Sequence, residues 1–211
     1  MRFVDFNRPV GISDYDSGRR SLKLFDTETD ETIRFQIPKL YMPFGISGFE
    51  PQFGPVKYNI DFSLKGYDEP GSYVNKFYSF VRTIEKQVTE YVVEHSEKIF
   101  NKRMTYEEVS ELFNSNIKES SGDRDPKFRV KLDTKGENIK IPVFDKDSKR
   151  VEDVKAEMGK WSKRSGIAVV EVVSVYFLNK MIGLTWKIHQ LKIFDPYTTP
   201  AMTGCQFIEE D

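Results

Sequence analysis

Two β-rich segments near the end of the chain, IAVVEVVSVYFL (167–178) and LTWKIHQLKIF (184–194), constrain the fold more than any other feature. β-Branched residues dominate the first, a composition that suits a pleated sheet better than a helix. Asn179 to Gly183 supplies a turn, so the pair reads as a long antiparallel hairpin. The returning segment breaks its own alternation. Leu184, Trp186 and Ile188 share one parity, whereas Leu191 and Ile193 share the other. Keeping both sets on the buried face requires an irregularity, so the spacing predicts a bulge or sharp bend near His189 and Gln190. Long strands that bend suit a small barrel, where one strand serves two sides.

The rest of the chain supplies partners for this hairpin. SLKLF (21–25) alternates weakly, and in TIRFQIPKLY (32–41) Ile33, Phe35 and Ile37 oppose Arg34 and Gln36. In KYNIDFSLKG (57–66) Tyr58, Ile60, Phe62 and Leu64 oppose Asn59, Asp61 and Ser63, a clear strand. MPFGISGFEPQFGP (42–55) is a turn-rich loop. From Ser72 the period becomes helical: Tyr73, Phe77, Phe80, Val81, Ile84, Val88, Tyr91, Val92, His95 and Ile99 predict one helix to about Asn101. Thr105 and Glu108 have capping-box spacing and open a second helix expected to reach about Ile117. KFRVKLD (127–133) alternates strictly, Pro142 marks IKIPVF (139–144) as an edge strand, and a helical turn is expected from Glu152 to Met158. The expected fold is α+β: an OB-type five-stranded β-barrel with an inserted helical pair at 72–118. It forms one domain over 1–195, followed by a C-terminal tail over 196–211 that is weakly acidic at its end.

A composition of 31% charged, 38% hydrophobic and 14% aromatic residues is that of a globular chain. The net charge of −1 selects no partner by bulk electrostatics, so any nucleic-acid reading rests on local clustering. A single cysteine, Cys205, forms no internal disulfide and points to an intracellular, reducing location. The opening MRFVDFNRPVG lacks the apolar core of a secretion signal, and no membrane association is expected. Two histidines, His95 and His189, make no metal-ligand cluster; His95 reads as a structural residue at the helix boundary. Cys205 has no neighbouring base, and GISG (45–48) lacks the lysine and helix of a phosphate loop. No enzyme activity, metal or cofactor is expected.

The basic residues are better organised. In KFRVKLD the alternation turns Phe128, Val130 and Leu132 inward and Lys127, Arg129 and Lys131 outward. Cations on alternate strand residues recur about every 6.6 Å, a row that can track a polynucleotide backbone. A plain solvated face has the same pattern. Lys187 faces away from Trp186 on the last strand. Phe44, Phe49 and Phe53 are either stacking platforms or a plug for the barrel end. In MGKWSKRSG (158–166) Trp161 lies among Lys160, Lys163 and Arg164 with no acidic residue. Its ring stacks on a base while the cations hold phosphates, or it packs onto the barrel through the preceding turn.

The ordered series FGPVKYNIDFSLKG, VNKFYSFVRTIEKQVTEYVVEHSEKIF, DPKFRVKL and VVSVYFLNKMIGLTWKIHQLKIF resembles the single-stranded DNA-binding proteins of the nucleocytoplasmic large DNA viruses. These are distant relatives of the single-strand binder of short-tailed phages, and the resemblance covers roughly residues 20–195. It implies an OB fold and sequence-tolerant single-stranded DNA binding without catalysis, in viral DNA replication, recombination or repair. The host cytoplasm, in a viral factory, or the nucleus is then the expected location. The phage relatives carry an acidic tail ending in an aromatic residue that contacts replication enzymes. Here Phe207, Glu209, Glu210 and Asp211 match it in part, because the tail is short and ends in Asp. Replication proteins (polymerase, helicase-primase) are the expected partners of that tail, and self-association as a homodimer is left open. A non-catalytic protein–protein adaptor is the competing reading.

Overall fold

The computed structural model describes residues 6, 9–135, 138–178 and 181–196. In chain order its elements begin with strands β1 (Val10–Ile12), β2 (Ser21–Asp26), β3 (Ile33–Gln36), β4 (Leu40–Met42), β5 (Ile46–Phe49) and β6 (Lys57–Ser63). Helices α1 (Tyr73–Glu94), α2 (Ser96–Phe100) and α3 (Tyr106–Glu111) follow. Next come β7 (Ile117–Lys118), β8 (Lys127–Leu132), β9 (Thr134–Lys135), β10 (Asn138–Ile139) and β11 (Val143–Phe144). Helix α4 (Val154–Glu157), a 3₁₀ turn (Met158–Trp161), β12 (Arg164–Leu178) and β13 (Met181–Phe194) are the last of the described elements.

The terminal hairpin organises everything else. β12 and β13 pair antiparallel from Leu178 opposite Met181 to Ser165 opposite Phe194. Val169 faces Gln190 while Val170 faces Ile188, which leaves His189 as an extra residue where the parity break predicts an irregularity. A second step leaves Val173 extra, between Val172 opposite Trp186 and Ser174 opposite Thr185. The bulge at His189 lets Trp186, Ile188, Leu191 and Ile193 all reach the core despite their mismatched parity. The other edge of β12 pairs in turn with β2, β3 and β4, so one long strand serves three short ones. β1 extends this sheet beyond β2, and β11 pairs parallel to β13.

A closed five-stranded barrel, the architecture expected from the sequence, is not what the ladders form among the described residues. β5, β6, β8 and β7 make a separate four-stranded antiparallel sheet. The reason lies in the edges of β8. One edge pairs with β6, and the other is taken by β7 and by Asn116, whose carbonyl accepts from Arg129 N–H at 2.8 Å. β8 therefore meets β13 through side chains, with the rings of Phe128 and Trp186 edge-to-face at 5.1 Å.

Two of the passages between the sheets are held by short backbone contacts. β4 runs into β5 through Gly45, at φ +61°, where a Cβ would stand 2.8 Å from the backbone of Trp161 and Ser162. Only glycine combines that conformation with so close an approach. On the far side, Ile182 N–H donates to Leu112 O at 2.8 Å and Asn114 N–H donates to Ile182 O at 2.7 Å. These bonds also explain why α3 stops at Glu111 instead of reaching Ile117: residues 112–118 are recruited as extended chain by β13 and β8.

α1 lies over the core. Ser72 caps it by accepting from Asn75 N–H at 3.0 Å, and Phe77 packs against Phe35 and Phe128 while Phe80 packs against Phe35. The single helix expected to Asn101 is interrupted at His95, whose backbone leaves helical geometry (φ −105°, ψ 14°) and whose ring stacks on Tyr91 at 4.1 Å. α2 continues from there and ends at Asn101 in the left-handed region. α3 carries the expected capping box, Thr105 N–H donating to Glu108 Oε2 at 2.9 Å and Glu108 N–H to Thr105 Oγ1 at 3.3 Å. Among the described residues no helix is long and apolar enough to cross a membrane.

Candidate nucleic-acid interface

The register of the four-stranded sheet decides which charges share a surface. Ser63 lies opposite Lys127, Asp61 opposite Arg129 and Asn59 opposite Lys131. Opposed residues point to the same side, so the outer face of β8 carries Lys127, Arg129 and Lys131 while Phe128, Val130 and Leu132 are buried. β7 adds Lys118 across from Lys127, and β5 adds Phe49 across from Lys57. Five cations thus share one sheet face, and Asp61 is the one carboxylate within these four strands.

That carboxylate is committed. Arg129 Nε donates to Asp61 Oδ1 at 2.6 Å and Nη2 to Oδ2 at 2.7 Å. These hydrogen bonds raise the Arg129 pKa above its ordinary value. Lys118 is shifted down, first by burial and then by the neighbouring Arg129 charge, and its Nζ donates to Asn114 Oδ1 at 2.7 Å. Lys57, Lys127 and Lys131 have no carboxylate partner among the described residues. Lys127 Nζ instead stands 5.3 Å from the ring centre of Phe44, a cation–π contact.

Phe44, Phe49 and Phe53 are 55%, 61% and 84% exposed. They do not plug the barrel end. Trp161 behaves in the opposite way and corrects the stacking role expected for it. It is 5% exposed and belongs to the core. The turn that ends at Trp161 directs the indole inward, with Val154 and Met158 partly buried against the same core. Two hydrogen bonds hold the following chain to the 42–45 passage, Lys163 N–H to Met42 O at 3.0 Å and Ser162 Oγ to Pro43 O at 3.0 Å. No ring face is left for a base.

The flanking cations divide. Lys160 pairs with Glu157 at 2.8 Å, and Arg164 pairs with Asp195 at 3.1 Å while also donating to Lys160 O. Lys163, at φ +60°, has no carboxylate partner among the described residues. Because residues 42–45 contact the 161–163 chain and Phe44 reaches Lys127, Lys163 sits at the Lys127 end of the basic row. Lys187 lies on β13, its Nζ 3.8 Å from Asp133. Lys57 and Lys118 do not stand out in the sequence. The first is one step along the polar parity of Asn59 and Asp61; the second carries no signal, because its segment has the pattern of a helix end.

Phe207, Glu209, Glu210 and Asp211 lie outside the described residues. Among the described residues no group of three ligating side chains forms a metal site.

No family model matches the chain, and no curated protein is significantly similar to it in sequence. Its fold is similar to that of gp2.5, a single-stranded DNA-binding protein encoded by bacteriophage T7. The TM-score is 0.53 at 14% identity, over 82% of this chain and 91% of that one. The single-stranded DNA-binding protein from bacteriophage Enc34, in complex with ssDNA, aligns with a TM-score of 0.49 at 8% identity, over 89% and 98%. At 14% identity the likeness to the T7 protein is one of fold alone, and this chain's own arrangement is mixed α+β.

Proposed function

We propose that the chain binds single-stranded DNA along the outer face of β5, β6, β8 and β7. The observation that carries this reading is the placement of Lys127 and Lys131 on one strand face, both unpaired with carboxylates among the described residues, with the Phe44 ring beside Lys127. Lys127 and Lys131 stand about 13 Å apart along β8, a span of about two phosphate spacings of an extended strand, with Arg129 held by Asp61 between them. Phe44, Phe49 and Phe53 offer ring faces to bases, each stacked base being worth about 1–3 kcal/mol without regard to its identity. In this reading residues 1–195 act as one OB-type domain interrupted by the helices, and the protein serves viral DNA replication, recombination or repair without catalysis. The fold likeness to the T7 protein and the sequence resemblance to the large-DNA-virus family support it.

The test is anisotropy of labelled oligo(dT) across a salt series. Affinity is expected to fall steeply with salt, and replacing Lys127 and Lys131 together by Ala is expected to flatten the log–log slope by about 0.7 per lost phosphate contact. Binding that ignores both salt and these substitutions overturns the reading.

A further inference from the structure

The gap between β8 and β13 is a cleft of about 360 Å³, within the range of roughly 300–1,000 Å³ that small-molecule sites occupy. Lys118, Arg129, Lys131 and Asp133 form one rim, the Asp133 carboxylate standing 3.8 Å from Lys187 Nζ, and Tyr176, Leu178 and Thr185 form the other. Its walls are braced. Asn114 holds both sides through one amide, Nδ2 donating to Tyr176 Oη at 3.2 Å and Oδ1 accepting from Lys118 Nζ at 2.7 Å. Tyr176 lies opposite Gly183, and a Cβ on that glycine would stand 2.6 Å from Tyr176 Cζ, so the ring rests on bare backbone. Leu178 is exposed, and Leu184 and Trp186 add further apolar lining.

We propose that this cleft captures a single nucleobase turned out of the strand lying on the adjacent sheet, against the Tyr176 ring, with its flanking phosphates on Lys118 and Lys131. The inference rests on the proposed DNA path, because Arg129 and Lys131 belong to both surfaces and the row from Lys127 leads to the cleft. The chemistry is divided as a nucleotide is: a ring and aliphatic side chains for the base, ammonium groups at the rim for phosphate. The row of ammonium groups along β8 sets no register on a bound strand. The cleft gives it one fixed point.

The experiment uses two probes. Thymidine 5′-monophosphate, followed by saturation-transfer NMR, reports the cleft alone, and labelled oligo(dT) reports the whole path. Thr185 is exposed on the rim, and Thr185→Trp fills the opening. It is expected to abolish transfer to the thymine protons and to weaken oligo(dT) about five-fold or more. Lys57→Ala, one strand over on β6 and outside the cleft lining, is expected to weaken oligo(dT) while leaving the mononucleotide signal intact. Should Thr185→Trp fail to fold, Tyr176→Leu is expected to have the same effects. Mononucleotide transfer that is absent in the wild type, or equal in wild type and filled variant, overturns the cleft while oligo(dT) binding stands. Loss of oligo(dT) binding in the wild type overturns the DNA path itself.

Discussion

Arg129 and Asp61 face each other across β8 and β6 as a two-point pair, with both donor–acceptor distances below 2.8 Å. The pair sits in the middle of the basic row, between Lys127 and Lys131. A guanidinium fork matched to a carboxylate in this way has its charge largely answered where it stands. Arg129 therefore shapes the face more than it draws phosphate, and the two lysines flanking it do most of the attracting.

Asp61→Asn tests that division of labour. The amide keeps the shape, removes the negative charge and releases the Arg129 charge toward solvent. Oligo(dT) affinity at low salt is expected to rise several-fold, with a salt slope steeper by close to one phosphate contact. Asp61 is buried, so folding stability is expected to fall by about 1–3 kcal/mol, read from urea unfolding. Unchanged or weaker binding by a folded variant would show that phosphates do not follow this row.

Phe44 and Trp161 are expected to separate function from packing. Phe44→Leu keeps an apolar side chain at an exposed position and removes the ring, so oligo(dT) affinity is expected to drop by about 1 kcal/mol or more with little change in melting temperature. A loss of stability with intact affinity would return Phe44 to a packing role.

Trp161→Ala is expected to do the reverse. Emptying a core site of an indole costs about 3–5 kcal/mol, visible in thermal unfolding. Trp161→Phe, which keeps most of the packing, is expected to bind oligo(dT) within about two-fold of wild type where both are folded, since its ring faces the core. A ten-fold loss with unchanged melting would reinstate the stacking role.

These two aromatics also mark where the sequence is legible. The hairpin, the bulge at His189, the helix from Ser72 and the Thr105 capping box were readable because each is a local pattern of parity, period or spacing. Trp161 was not readable. Its direction depends on one 3₁₀ turn and on hydrogen bonds from residues 162 and 163 to Met42 and Pro43, over a hundred positions away. Barrel closure failed for the same kind of reason: the free edge of β8 is claimed by residues 116–118, and nothing in KFRVKLD announces a competitor. The basic row was visible as alternation, but Lys57 and Lys118 join it only through cross-strand register.

Two carboxylates on different elements are expected to give opposite pH signatures. Glu85, on α1, is buried, and burial pushes its pKa up despite hydrogen bonds from Ser115 and Arg82. Its native form holds a proton over a pH window where the unfolded chain has lost it, so its contribution to stability is lost as pH rises through the raised value. Glu171, on β12, is also buried, which alone would push it up. Arg34 Nη2 at 2.7 Å and His189 Nε2 at 2.8 Å outweigh that and hold its pKa below the usual value. Its contribution is present above the ordinary glutamate value and lost as pH falls through the lowered one. Urea unfolding of Glu85→Gln and Glu171→Gln from about pH 4 to about pH 8 checks both signs. Relative to wild type, the stability of Glu85→Gln is expected to climb with pH, because the amide carries no charge to bury and Arg82 keeps Glu119 as a partner. The stability of Glu171→Gln is expected to decline over the same range, because Arg34 and His189 lose the charge that orders them. Parallel curves for the two variants would mean that the surroundings of Glu85 and Glu171 do not shift their titrations in opposite directions.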